Sequence, residues 1–142
     1  MKTVSQLLAG KNHRIETIAP SVHVFDALKL MLEKDIGSLL VVEFGKLVGI
    51  FTERDYARKI VLQGKSSQNT LVRDVMSTKL ITVQPIDTLD FCMQLVTEKR
   101  IRHLPVMDQG RLVGMLSIGD LLKAALAEQA STIAQLEAYI NS

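Results

Sequence analysis

A displacement of 65 positions lays one half of this 142-residue chain on the other, with no gap from residue 17 to residue 56. Thr17 falls on Thr82, Pro20 on Pro85, Leu30 on Leu95, and Glu33-Lys34 on Glu98-Lys99. Ile36, Leu39, Val41 and Gly45 meet Ile101, Leu104, Val106 and Gly110, Leu47-Val48-Gly49 meets Leu112-Val113-Gly114, and Asp55 lands on Asp120. A prefix repeats at a slightly different offset, with TVSQLL (3–8) resembling LVRDVM (71–76). Internal duplication means two copies of one supersecondary unit. A unit of about 60 residues buries only about 60% of its unfolded surface and is marginal alone. The two copies are therefore expected to pack on each other. The boundaries read as 3–63 for the first repeat, 64–70 (GKSSQNT) for a polar linker, and 71–142 for the second repeat.

Each copy carries the same order of patterns. A short extended entry (IETIAP, LITVQP) reaches a proline, and an apolar-periodic stretch follows, over about 22–34 and about 87–100. Val24, Leu28 and Met31, like Leu89, Met93 and Val96, recur at helical spacing, with Asp87 or Thr88 as N-cap in the second copy. Two β-branched runs split by a glycine turn, SLLVVEFGKLVGIFT and HLPVMDQGRLVGMLS, read as a hairpin. A second helix closes each copy: RDYARKIVLQ in the first, and about 120–139 in the second. The order is strand–helix–strand–strand–helix, an α+β chain.

The pattern [ST]-x-x-D after each hairpin carries the chemistry. Thr52 and Asp55 in one copy, Ser117 and Asp120 in the other, sit where a strand gives way to a helix. Free backbone N–H groups and the macrodipole attract anions there. Capping alone explains a single instance, since Ser and Thr are ordinary N-caps and Asp suits a first helical turn. Both copies, however, keep hydroxyl, carboxylate and the preceding glycine while neighbours drift, Glu53 to Ile118 and Arg54 to Gly119. A nucleotide accounts for all three choices. The carboxylate accepts a ribose diol, the hydroxyl and helix end hold a phosphate, and Gly49 or Gly114 marks a bulge or lets the sugar approach.

Composition removes other classes. Net charge is +2, from 17 basic and 15 acidic side chains, which is no nucleic-acid footprint. Two Tyr, four Phe and no Trp provide no base-stacking platform. The single Cys92 allows no internal disulfide, the N-terminus shows no signal-peptide pattern, and no run reaches the length of a membrane span. A soluble, cytoplasmic setting is expected, with no membrane partner. The GKS at 64–66 is not a phosphate-binding loop, because position 59 is Lys rather than Gly and a helical stretch precedes it. His13, His23 and His103 show no metal spacing with Cys92, so no metal is expected. Cys92 aligns with Ala27 and reads as a small buried apolar group, and the six Met residues read mostly as core filling. No nucleophile–base set is visible, so no catalytic residue is assigned.

The duplicated combination H-L-P-V, G-x-L-V-G and [ST]-x-x-D, seen in HLPVMDQGRLVGMLSIGD, resembles a tandem pair of CBS domains over roughly residues 3 to 127. The resemblance implies two β-α-β-β-α repeats related by a pseudo-two-fold axis, with hairpins meeting in a central sheet. It implies two clefts between the repeats that take adenosine compounds (AMP, ADP, ATP, NAD or S-adenosylmethionine), and a regulatory, energy-sensing or signal-transducing role rather than catalysis. Homodimers are common in such families. By position, Asp55 and Asp120 match the ribose-binding aspartate, and Thr52 and Ser117 the phosphate-side hydroxyl. Thr17-Ile18 and Thr82-Val83 match the segment lining the base, and Leu40-Val41 and Pro105-Val106 the hairpin backbone near the adenine. Arg102 and His103 match positions whose basic groups reach phosphates. Arg54 adds a charge that the second copy lacks, and Leu40 replaces the family's proline, so the two clefts are expected to differ.

The last segment, 121–140, carries an apolar strip of Leu121, Leu122, Ala125, Leu126, Ile133, Leu136 and Ile140, with Glu128 and Glu137 beside it. It is long for a closing helix, and its end is expected to contact a second copy. The expectation is a ligand-binding regulatory module, acting on an effector protein that the sequence does not name. The alternative is a ligand-independent dimeric scaffold whose Thr/Asp pairs only cap helices.

Overall fold

The computed structural model describes residues 2–11 and 15–141. Two compact units result, one of residues 2–11 with 82–141 and the other of residues 15–81. These units in space are not the repeats in sequence. Each repeat is completed by the prefix that the chain places ahead of the other one.

In the second unit, β1 (Thr17–Ile18) lies parallel to β2 (Ser38–Glu43), which forms an antiparallel hairpin with β3 (Lys46–Thr52). Helix α2 (Val24–Lys34) links β1 to β2. The turn residues Phe44 and Gly45 both have positive φ, 51° and 75°, as a two-residue hairpin loop requires. The RDYARKIVLQ segment is expected as one α-helix and differs. A single turn, α3 (Glu53–Asp55), passes into π-helix over Tyr56–Val61. The short helix α4 (Val72–Val75) follows. Val24, Ala27, Met31, Leu39, Val41, Phe51, Ile60, Val72 and Val75 form the core. The polar 64–70 stretch is docked. Thr70 and Ser67 carbonyls accept from Val24 and Phe25 N–H at 2.9 Å each, satisfying the start of α2, whose N-cap His23 makes no side-chain cap bond.

The other unit repeats this plan with α5 (Leu89–Lys99), β4 (His103–Asp108), β5 (Arg111–Ser117) and α6 (Ile118–Ile140). Thr88 caps α5 by accepting from Phe91 N–H at 3.1 Å. The entry strand shrinks to one bridge, Val83 with Val106. Proline explains the loss. In the first repeat Leu40 N–H donates to Glu16 O; its counterpart Pro105 has no N–H to donate. Val4, Val83, Leu89, Cys92, Val96, Leu104, Val106, Leu116 and Leu121 are buried here. Burial, with Asp87 adding to it, pushes the Cys92 thiol up to about 11, so it stays protonated and inert.

The prefixes dock alike. α1 (Val4–Ala9) enters with Val4 N–H on Asp87 O and Ser5 N–H on Pro85 O. Val72 N–H on Val22 O and Arg73 N–H on Pro20 O repeat the arrangement in the other unit.

Both hairpins bulge at the expected glycine, between Val41 and Val42 opposite Gly49 and between Val106 and Met107 opposite Gly114. The expectation that these glycines admit a sugar is corrected. A Cβ on Gly49 would stand 2.6 Å from Met76 Sδ and 3.1 Å from Ser77 O, and one on Gly114 2.7 Å from a Leu8 methyl. The prefixes themselves occupy the space.

Candidate functional site

Ser117 ends β5 and caps α6. Its hydroxyl accepts from Asp120 N–H at 3.2 Å, while Asp120 Oδ2 accepts from Ser117 N–H at 2.8 Å and from its hydroxyl at 3.0 Å. This capping box fixes the carboxylate at a helix N-terminus. Lys11, just past α1, donates to Met115 O at 2.9 Å and to Asp120 Oδ2 at 2.6 Å. Burial alone would raise the Asp120 carboxyl. The Lys11 ammonium and the Ser117 donors outweigh it, so its pKa lies below the ordinary carboxylate value. Among the described residues all these bonds fall on Oδ2 and none on Oδ1, and the Asp120 side chain is 28% exposed. An ionised oxygen with accessible lone pairs is thus held in place beside a cation.

The same box recurs at Thr52 and Asp55, with Asp55 Oδ2 accepting from Thr52 N–H at 3.0 Å and Thr52 hydroxyl at 3.1 Å. Here Oδ1 is taken as well, by Ser77 hydroxyl at 2.8 Å and Lys59 Nζ at 3.1 Å. The Asp55 side chain is only 6% exposed. A buried carboxylate needs such partners, and this one has them on both oxygens.

The other expected site residues fall partly beside these boxes and partly on neighbouring strand pairs of the same unit. Val83 N–H donates to Pro105 O at 3.0 Å and Met107 N–H to Val83 O at 2.9 Å, which joins the Thr82-Val83 segment to the Pro105-Val106 backbone. His103 pairs with Ser117 across the hairpin, and Arg102 O accepts from Ile118 N–H at 2.8 Å at the start of α6. In the other unit Thr17 and Ile18 pair with Leu40 and Val41, Ser38 pairs with Thr52, and Gly37 O accepts from Glu53 N–H. Leu40, Val41, Pro105 and Val106 are buried, so they can offer a ligand only backbone groups. Arg54 and Arg102 are exposed, and Thr17 and Thr82 likewise.

A model of the CBS domain matches residues 4–62 and again 72–127. The chain is a CBS-domain pair. Within that family it is 47% identical over 123 residues to CBS domain-containing protein CBSX3, mitochondrial, of Arabidopsis thaliana, covering 83% of this chain and 60% of that protein. It thus spans less than two thirds of that relative's length. A CBS-domain protein of Burkholderia ambifaria MC40-6, of solved structure, is 50% identical, with a TM-score of 0.87 over 90% of this chain and 96% of that one. CBSX2, solved in complex with AMP, is 28% identical, with a TM-score of 0.74 over 89% of this chain and 98% of that one. Among the described residues of the pair, no helix is long and apolar enough to cross a membrane, and no group of three His, Cys, Asp or Glu could hold a metal. His13 lies outside the described residues.

Lys11, Lys59 and Ser77 were not expected at the aspartates of this CBS pair. A trace of Lys11 exists in the sequence. Carrying the prefix repeat three residues past Leu8 and Met76 sets Lys11 against Lys79. What no pattern in the chain shows is that Lys11 meets a carboxylate 109 positions away.

Proposed function

We propose that this CBS pair is a regulatory module that binds an adenosine compound (AMP, ADP, ATP, NAD or S-adenosylmethionine) and works as a homodimer, without catalysing a reaction. The observation that carries the reading is the Asp120 carboxylate: ionised, fixed by the Ser117 capping box, and with Oδ1 unengaged among the described residues. A ribose diol would donate to Oδ1 and compete with Lys11 for Oδ2. A displaced Lys11 ammonium then stands ready for a phosphate, beside the N-terminus of α6 and the exposed Arg102. The AMP complex of CBSX2 supports this ligand class. Asp55 is the weaker candidate, because a ligand must first displace both Ser77 and Lys59. The roles of Thr17, Ile18, Thr82, Val83, Leu40, Val41, Pro105, Val106, Thr52, Arg54 and His103 belong to the same proposal, as does a cytoplasmic setting.

A thermal-shift panel of AMP, ATP, NAD and S-adenosylmethionine tests the reading. A ligand at a hundredfold excess over its dissociation constant stabilises the fold by about 2.7 kcal/mol. Asp120→Ala should abolish most of that shift, while Asp55→Ala should leave most of it. The alternative, a ligand-independent scaffold, draws on the completeness of the Asp55 box, which serves its helix with no ligand present. The absence of any shift in the presence of a stable dimer would establish that alternative.

A further inference from the structure

The two aspartates are closed off differently, and two residue changes account for it. Asp55 Oδ1 is taken by the Ser77 hydroxyl and by Lys59, one turn along its own helical segment. Their counterparts in the other unit are Ala9 and Ala124, whose side chains can donate nothing. Asp120 has thus lost both closures. The hairpin edge changes with them. Ile50 O accepts from Ser77 N–H at 2.8 Å, whereas the equivalent Met115 O accepts from the Lys11 ammonium at 2.9 Å. That ammonium also reaches Asp120 Oδ2 at 2.6 Å. One flexible side chain, 27% exposed and starting beyond the Gly10 C-cap of α1, does for Asp120 what a bridged serine and a helix-borne lysine do for Asp55.

We propose that Lys11 is a displaceable gate on the Asp120 site and sets its ligand class: adenosine compounds with an anionic 5′ group enter, and neutral or cationic ones are refused. Every ligand that places its ribose diol on Asp120 must loosen the same ion pair, at the same cost. The return differs. A 5′ substituent lies within the sweep of the flexible four-carbon stem, so a phosphate takes up the released ammonium in a charge-assisted hydrogen bond. Adenosine offers nothing in exchange. S-adenosylmethionine brings a 5′ sulfonium, a second positive charge beside the first. The gate therefore favours AMP, ADP, ATP and NAD over S-adenosylmethionine. The diol contact with Asp120 cannot make that choice, because the sugar is common to all of them. Val4, buried, and Leu8, packed against Gly114, hold α1 independently of Lys11, so the ammonium can move while the helix stays docked.

The inference rests on the adenosine reading of Asp120, and its test separates the two. Calorimetric titration of the full chain and of Lys11→Met with AMP, adenosine and S-adenosylmethionine reads it. Without the ammonium, adenosine should bind about fivefold more tightly, the equivalent of one partly exposed ion pair. S-adenosylmethionine should gain more than that. AMP should weaken, and its advantage over adenosine should fall at least about tenfold, the loss of one hydrogen bond between charged groups. Lys11→Arg keeps the charge and should hold that advantage within about threefold of wild type. On the unaltered chain, rising salt should weaken AMP while strengthening adenosine. Equal gains for AMP and adenosine in Lys11→Met, or no gain for adenosine, would overturn the gate while AMP binding left the adenosine reading standing. Failure of wild type and Lys11→Met alike to bind any of the three would overturn both.

Discussion

Gly49 and Gly114 show how much a single position decides. Neither has positive φ, so the demand is for space. Gly49→Ala drives a methyl against Met76 and against the Ser77 carbonyl, whose bridge to Ile50 cannot yield without loss of hydrogen bonds. Gly114→Ala meets the methyl end of Leu8, which can rotate. Overpacking of this kind costs about 1–3 kcal/mol. Urea denaturation should find Gly49→Ala toward the upper end of that range and Gly114→Ala below it. Asp120 gives a second residue-level expectation. Its folded pKa is depressed, so the stabilisation is fully present above the ordinary value of about 3.9 and is lost as pH falls through the lower folded value. The stability gap between wild type and Asp120→Asn should hold constant from about pH 5 to 7 and close below about pH 4. Spacing made the hydroxyl–carboxylate pairs legible, because both members lie within four residues. Lys11 and Ser77 were not legible as partners, because only tertiary folding brings them to Asp120 and Asp55.

Helices α2 and α5 occupy equivalent places yet begin differently. The Thr88 hydroxyl closes the N-terminus of α5, whereas the 67–70 carbonyls serve α2. Thr88→Ala should therefore cost about 1 kcal/mol in chemical denaturation, and His23→Ala should be close to neutral. Periodicity located both helices to within two residues at their starts, since their apolar faces are local patterns. The entry strand of the second repeat was not legible as a single bridge, although Pro105 held the reason: an absent donor matters only once the neighbouring strand is known. Nor does anything local in RDYARKIVLQ signal a π-helix. There a lysine, Lys59, reaches both Asp55 and Val75 O.

At the scale of the molecule, duplication carried the most information. Two repeats, their element order and the family are all legible in it. It could not reveal that each unit in space borrows its first helix from the other end of the sequence plan, because TVSQLL and LVRDVM are alike and either could have docked on either hairpin. The same likeness explains why the borrowed contacts, Val4 on Asp87 and Val72 on Val22, match so closely. The proposed binding turns on a fixed carboxylate gripping a sugar diol, and calorimetric titration of the full chain with AMP and with 2′-deoxy-AMP measures that directly. Hydrogen bonds to a charged acceptor contribute about 1.5–3 kcal/mol each, so the deoxy compound should bind at least tenfold more weakly. Asp120→Ala should erase the difference. Equal affinity of the wild-type chain for the two nucleotides would contradict it.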